Sequence, residues 1–146
     1  MSVTIDASVF VAAVRATEAQ HAVSRSFLQR LDALQIAVYC PVLAVPESAA
    51  AIARRTGDVE LAGEAMAIIE TLPRLCFADL DLSAAKQAAD IAITHRLRGA
   101  DSVYVAVAHA LGAELITWDA EMLERAAAVV PTMTPAEWLA RQPATP

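Results

Sequence analysis

Four carboxylates stand where this chain passes from one kind of segment to the next. Asp6 closes the apolar run "SVTI", and Glu47 comes six residues after the strand-like "QIAVYCP". Asp101 opens the long apolar stretch "DSVYVAVAHAL", and Asp119 follows "AELITW". In open α/β sheets, ligands bind beyond the carboxyl ends of the strands, where the following helices begin. One cluster of Asp6, Glu47, Asp101 and Asp119 at that edge is therefore geometrically reasonable. Such a cluster is costly alone: two carboxylates about 4 Å apart repel by roughly 4 kcal/mol at an effective dielectric near 20. Helix N-termini offset only part of this. A hard divalent cation relieves it, because Mg²⁺ takes oxygen ligands from a few carboxylates and a substrate phosphate. It also lowers the pKa of a bound water and stabilises an in-line phosphodiester displacement. The chemistry is metal-dependent hydrolysis. Each acid has a plainer role beside this one: Asp6 and Asp119 as N-caps, Glu47 as a first-turn anion.

The elements that must position these acids alternate. "SVTID" reads as a strand, followed by a helix in "ASVFVAAVR" and another in "TEAQHAVSRSFLQRLDAL", where apolar positions recur at three and four residues. "QIAVYCP" is the second strand. The next helix has Pro46 at its first position and Glu47 in its opening turn, and ends at Gly57. A further helix runs from an Asp58 cap to Pro73. "RLCFADL" is the third strand, and "SAAKQAADIAITHRLR" is an amphipathic helix stopped by Gly99. "SVYVAVA" also suits a buried strand. The length from Asp101 to Leu111 and the three alanines at 106, 108 and 110 decide for a central helix. "AELIT" is a strand, a helix follows from about Asp119 to Ala127, "AVV" is a last short strand, and "TPAEWLARQ" carries a capping box. Alternating strands and helices predict one α/β domain over residues 1–141. Its core is a mostly parallel sheet of about four to five strands flanked by helices. Residues 142–146 read as a frayed tail.

The bulk properties narrow the class. The 146 residues fit one domain. Apolar residues make up 57% and the net charge is −6, with a mean hydropathy of +0.45. No run is long enough to span a bilayer. No basic segment followed by an apolar one opens the chain, so no signal peptide is expected. The apolar excess fits a surface covered by a partner, and equally an Ala-rich composition. Cys40 and Cys76, without metal-type spacing, read as buried free thiols in a reducing cytoplasm. The acidic balance argues against holding nucleic acid by bulk charge. With Lys86 the only lysine, phosphate contacts fall to arginine.

"TIDASVFVAAV", "PE" entering a helix, and "RGADSVYVAVAHALGAELITWD", in that order, resemble PIN-domain ribonucleases, in particular toxins of the VapC type. The resemblance spans Ser2 to Val130, and its most specific part is the segment from Asp101 to Asp119. It implies that Asp6, Glu47, Asp101 and Asp119 hold Mg²⁺ or Mn²⁺ for cleavage of single-stranded RNA. It also implies a cognate antitoxin and a homodimer. Ser8 and Thr117 match small hydroxyl positions beside the first and last acids. There they orient carboxylates, bind water or metal, or simply cap. Glu121 is a peripheral carboxylate or a solvated helix residue. Glu60, Glu64 and Asp58 compete with Glu47, which directly follows a strand and a turn.

Arg54, two helical turns after Glu47, and Arg98, three residues before Asp101, are candidate phosphate contacts. Solvation of helix ends is the plain alternative for both. His21, His95 and His109 share no motif, and His109 reads as a core residue. Trp118 packs beneath the site or meets a base. The rival functions are a nuclease-inactive PIN-like RNA-binding or interaction module and a phosphotransfer domain. The latter fits poorly, since Asp6-Ala7-Ser8 lacks a second acid and Lys86 precedes the last two acids.

Overall fold

Val3, Thr4 and Ile5 have no solvent exposure, which marks β1 (Ser2–Ile5) as a strand covered on both faces. It is the centre of a five-stranded sheet of order β3-β2-β1-β4-β5. The other strands are β2 (Ala37–Pro41), β3 (Leu75–Ala78), β4 (Glu114–Ile116) and β5 (Thr132–Met133). Every pairing is parallel, with Thr4 opposite Tyr39 on one side and Leu115 on the other. The structure is a computed structural model and describes residues 1–143. The expected class is the observed one.

Eight helices connect and flank the strands among the described residues. They are α1 (Ala7–Val14), α2 (His21–Ala33), α3 (Ala44–Thr56), α4 (Val59–Thr71), α5 (Leu82–His95), α6 (Gly99–Leu111), α7 (Ala120–Arg125) and α8 (Pro135–Ala140). Parallel strands all end at one edge, and α1, α3 and α7 start there after β1, β2 and β4. Because α6 runs back to feed β4, its N-terminus lies at the same edge. Caps set these starts: Asp6, Asp58, Asp81, Asp119 and Thr134 each accept a backbone N–H of the following helix. Thr134 and Glu137 form the expected capping box.

Several local expectations need correction. The last strand is not "AVV". There the N–H groups of Val129 and Val130 turn back to the Ala126 carbonyl, and residues 126–128 form a 3₁₀ turn. β5 starts only after Pro131. Helix α5 ends at His95, with Arg96 in the left-handed region at φ 56°. Gly99 is therefore the first residue of α6, not a break. Helix α3 begins two residues before Pro46, which still sits in the first turn where its missing N–H costs nothing. Cys76 is exposed because β3 is an edge strand, whereas burial pushes the Cys40 thiol up to about 12. His109 is exposed too, on the outward face of α6's last turn. Of the segment expected to fray, Gln142 donates to the Trp138 carbonyl and Pro143 accepts from Arg30. Residues 144–146 lie outside the described ones.

Helices α2 and α8 pack against each other over the main core. Trp138 is fully buried and meets Phe27 edge-on, with ring centroids 5.1 Å apart. The Trp138 indole N–H has no partner among the described residues, so its contribution is packing. Trp138→Ala is expected to destabilise the fold by about 3–5 kcal/mol, whereas Trp138→Phe loses less than about 1.5 kcal/mol. Urea unfolding of the two variants checks this; equal losses would show that the ring does not anchor α8.

Candidate active site

β1 lies where the chain reverses its direction of travel across the sheet, with β2 and β3 on one side and β4 and β5 on the other. The crevice between the ends of β1 and β4 is thus the expected ligand position. A cleft of about 530 Å³ opens there, lined by Asp6, Glu47, Asp101 and Asp119 together with Ser8, Trp118, Arg98 and Arg55. Four elements deliver the four acids. Asp6 is the N-cap of α1, Glu47 lies in the first turn of α3, Asp101 in the first turn of α6, and Asp119 is the N-cap of α7. Four helix N-termini therefore face one acidic cleft, and their dipoles soften the repulsion.

Asp6 is held from two sides. Its backbone N–H donates to the Ile116 carbonyl at 3.0 Å, carrying the β1–β4 ladder one residue beyond the strands. Its Oδ2 accepts from the Thr117 hydroxyl at 2.9 Å and from the Ser8 N–H at 3.2 Å. With its only proton given to Asp6, Thr117 Oγ1 accepts the Asp119 N–H at 3.0 Å. Ser8 Oγ, 3.4 Å away, is then the donor of that weak contact, and it accepts the Trp118 N–H at 3.0 Å. Ser8 and Thr117 thus orient the carboxylates. Trp118 is a brace, its indole N–H donating to Ser24 Oγ at 2.8 Å while its ring borders the cleft.

The remaining acids have partners of their own. Asp119 divides its oxygens: Oδ1 caps α7 through the Met122 N–H at 2.9 Å, and Oδ2 accepts from Arg98 at 2.7 Å. The Arg98 Nε also donates to Asp101 Oδ2 at 2.8 Å. Asp101 lies three residues past its helix's N-cap, Arg98, and caps nothing. Glu47 Oε2 accepts from the Tyr104 hydroxyl at 2.6 Å. Glu121 pairs with Arg125 at 2.9 Å, outside the cleft lining.

Sequence reasoning missed Tyr104. Its signal was readable, because a tyrosine inside an apolar helix needs a partner for its hydroxyl. Arg55 was missed as well. The cleft follows the row Glu47, Ala51, Arg55, and an ion pair with Glu18 at 3.6 Å draws Arg55 toward it. The structure leaves the proposed Arg54 exposed outside that lining.

Burial raises the Asp6 carboxyl above the ordinary carboxylate range against its Ser8 and Thr117 hydrogen bonds, and Asp101 adds repulsion. Burial also raises Glu47, opposed by the Tyr104 hydrogen bond and reinforced by Asp6 and Asp101. Asp101 is raised by burial too, although Arg98 pulls it back. As they stand, no three acidic, histidine or cysteine side chains among the described residues are spaced around one metal position. The donor set still fits a hard cation: every ligand atom is a carboxylate oxygen. The Arg98 guanidinium between two of them marks where positive charge is accommodated.

Fold and site together define a parallel α/β domain with an acidic cleft at its topological switch. The PIN-domain family profile matches residues 3–129, and the chain belongs to that family. No curated protein matches it in sequence. Solved structures share the fold. VapC20 of Mycobacterium tuberculosis, a sarcin-ricin loop cleaving toxin, is 22% identical with a TM-score of 0.69, over 87% of this chain and 95% of that one. VapBC2 of Rickettsia felis, solved bound to a promoter DNA fragment, is 14% identical with a TM-score of 0.68, over 92% and 98%. A toxin–antitoxin complex from Klebsiella pneumoniae is 16% identical with a TM-score of 0.60, over 92% and 98%.

Raised carboxyl values have a sign. Between the ordinary carboxylate range and the raised values, the folded chain holds more protons than the unfolded one. The metal-free protein therefore loses stability as pH rises through that window. Asp6→Asn removes one of the buried groups, so its melting temperature is expected to fall less than the wild type's as pH rises above the ordinary carboxylate range. Parallel melting curves in chelator would contradict this.

Proposed function

We propose that the chain is a metal-dependent endoribonuclease that cleaves phosphodiester bonds in single-stranded RNA, and that it is the VapC-type toxin of a toxin–antitoxin pair in the cytoplasm. The observation that carries this is the convergence of Asp6, Glu47, Asp101 and Asp119 on one cleft of a PIN domain. Those four carboxylates would hold Mg²⁺ or Mn²⁺. Such an ion supplies an activated water and charge stabilisation at the phosphate. The chain's own groups do the rest. Thr117 and Ser8 fix Asp6, the α7 cap fixes Asp119, and Tyr104 restrains Glu47. Arg98 and Arg55, at the cleft, offer guanidinium groups to RNA phosphates.

An antitoxin partner is supported by the complexes among the structural relatives. The homodimer rests on apolar surface. Leu80 and Leu111, both exposed, border an apolar groove between β3, α5 and α6, with exposed Phe77 and Leu82 close by in the chain. Leu80→Glu is expected to halve the mass measured by sedimentation. A wild type that sediments at the 15.4 kDa of one chain would remove the dimer from this reading.

The activity test is direct. Purified protein should cleave a single-stranded RNA with Mg²⁺ or Mn²⁺ and not in chelator, and Asp101→Asn should slow cleavage by about a hundredfold or more. If the wild type is inactive with both ions, or Asp101→Asn cleaves at the wild-type rate, the nuclease reading fails and a binding module takes its place.

A further inference from the structure

Among the described residues, Arg98 is the one cation that touches two of the four acids. Its Nε binds Asp101 at 2.8 Å, and a terminal nitrogen binds Asp119 at 2.7 Å. The two carboxylates are 18 residues apart in sequence and belong to different helices, so this guanidinium is their shared counter-ion. We propose that Arg98 is the resident cation of the metal-free protein, holding Asp101 and Asp119 in place of the divalent ion and leaving them when that ion binds.

The geometry suits a group that must leave. The backbone of Arg98 is fixed: it is the N-cap of α6, its carbonyl accepts the Ser102 N–H at 3.0 Å, and its neighbour Leu97 is buried in the core. The side chain is 62% exposed, and among the described residues it pairs with these two carboxylates. A fixed pivot with an exposed arm swings out without disturbing the core. Arg98 is the solvent-facing partner of both pairs, so water can take over its guanidinium as a dication with a preference for carboxylate oxygen takes over the two acids. Asp101 and Asp119 are drawn to a flat, forked donor rather than to a point charge, and Glu47 is turned to Tyr104.

This inference rests on the metal-dependent reading above, and its test uses the ion alone. In titration calorimetry without RNA, Arg98→Gln is expected to bind Mn²⁺ about tenfold tighter than wild type. Arg98→Lys should fall between them, since an ammonium keeps the charge but cannot bridge both acids. Arg98 is exposed, so both variants should fold, and circular dichroism verifies that. In the wild type, the Arg98 Nε–H resonance, assigned by its loss in Arg98→Gln, should shift on saturation with Mg²⁺. Unchanged or weaker Mn²⁺ binding in Arg98→Gln overturns the proposal, as does a resonance that Mg²⁺ leaves in place. If neither protein binds Mn²⁺, the metal-dependent reading falls with it.

Discussion

Repulsion among carboxylates brought to one sheet edge is the constraint around which this molecule is arranged. The fold makes that crowding unavoidable. Strands β1, β2 and β4 all end on the same side, and α6 must start there to return to β4. Three of the four acids pay for their burial with raised proton affinity. Four helix N-termini, two hydroxyls, one phenol and one guanidinium then share the work of holding them. Each compensates in part, and none supplies a full second positive charge.

The compensation is organised oxygen by oxygen. Asp119 caps α7 with one oxygen and meets Arg98 with the other. Both protein hydrogen bonds to Asp6 fall on Oδ2. A cap and a ligand are therefore not competing explanations for such a residue, since a carboxylate has lone pairs for both. Thr117 is the junction. It is fully buried, gives its proton to Asp6 and receives the backbone N–H of Asp119. Through it the residue after β4 sets the position of the acid that follows β1. The result is a set of acids whose rotamers are chosen by hydroxyl, phenol and backbone donors and by the Arg98 guanidinium.

The apolar excess of the chain divides in the same physical way. Much of it fills the two sides of the sheet, where β1, α1 and the first turns of α6 are buried on nearly every face. Part of the remainder is displayed near the β3 edge, through Phe77, Leu80 and Leu82, and part on α4 and α5, through Val59 and Ile93. Cys76 follows that division, exposed because its strand has a neighbour on one side only.

The sequence by itself determined the alternation of strands and helices, the central helix from Asp101, the capping box at Thr134, and the four acids at element ends. These are local matters: periodicity, caps and chain order dictate them, and parallel strands convert chain order into a shared edge. The errors were local as well. A tight turn at Ala126 claimed N–H groups that "AVV" needed for a strand, and a left-handed Arg96 ended a helix that composition would have continued. Only the tertiary structure decided which side chains meet. That Arg98 bridges Asp101 and Asp119, that Tyr104 holds Glu47, and that Arg55 rather than Arg54 lines the cleft depend on rotamers and on how the helices pack. Contacts between residues 57 or 111 positions apart are set by packing and by the pairing of buried charge and hydrogen-bond groups. No spacing along the chain encodes them.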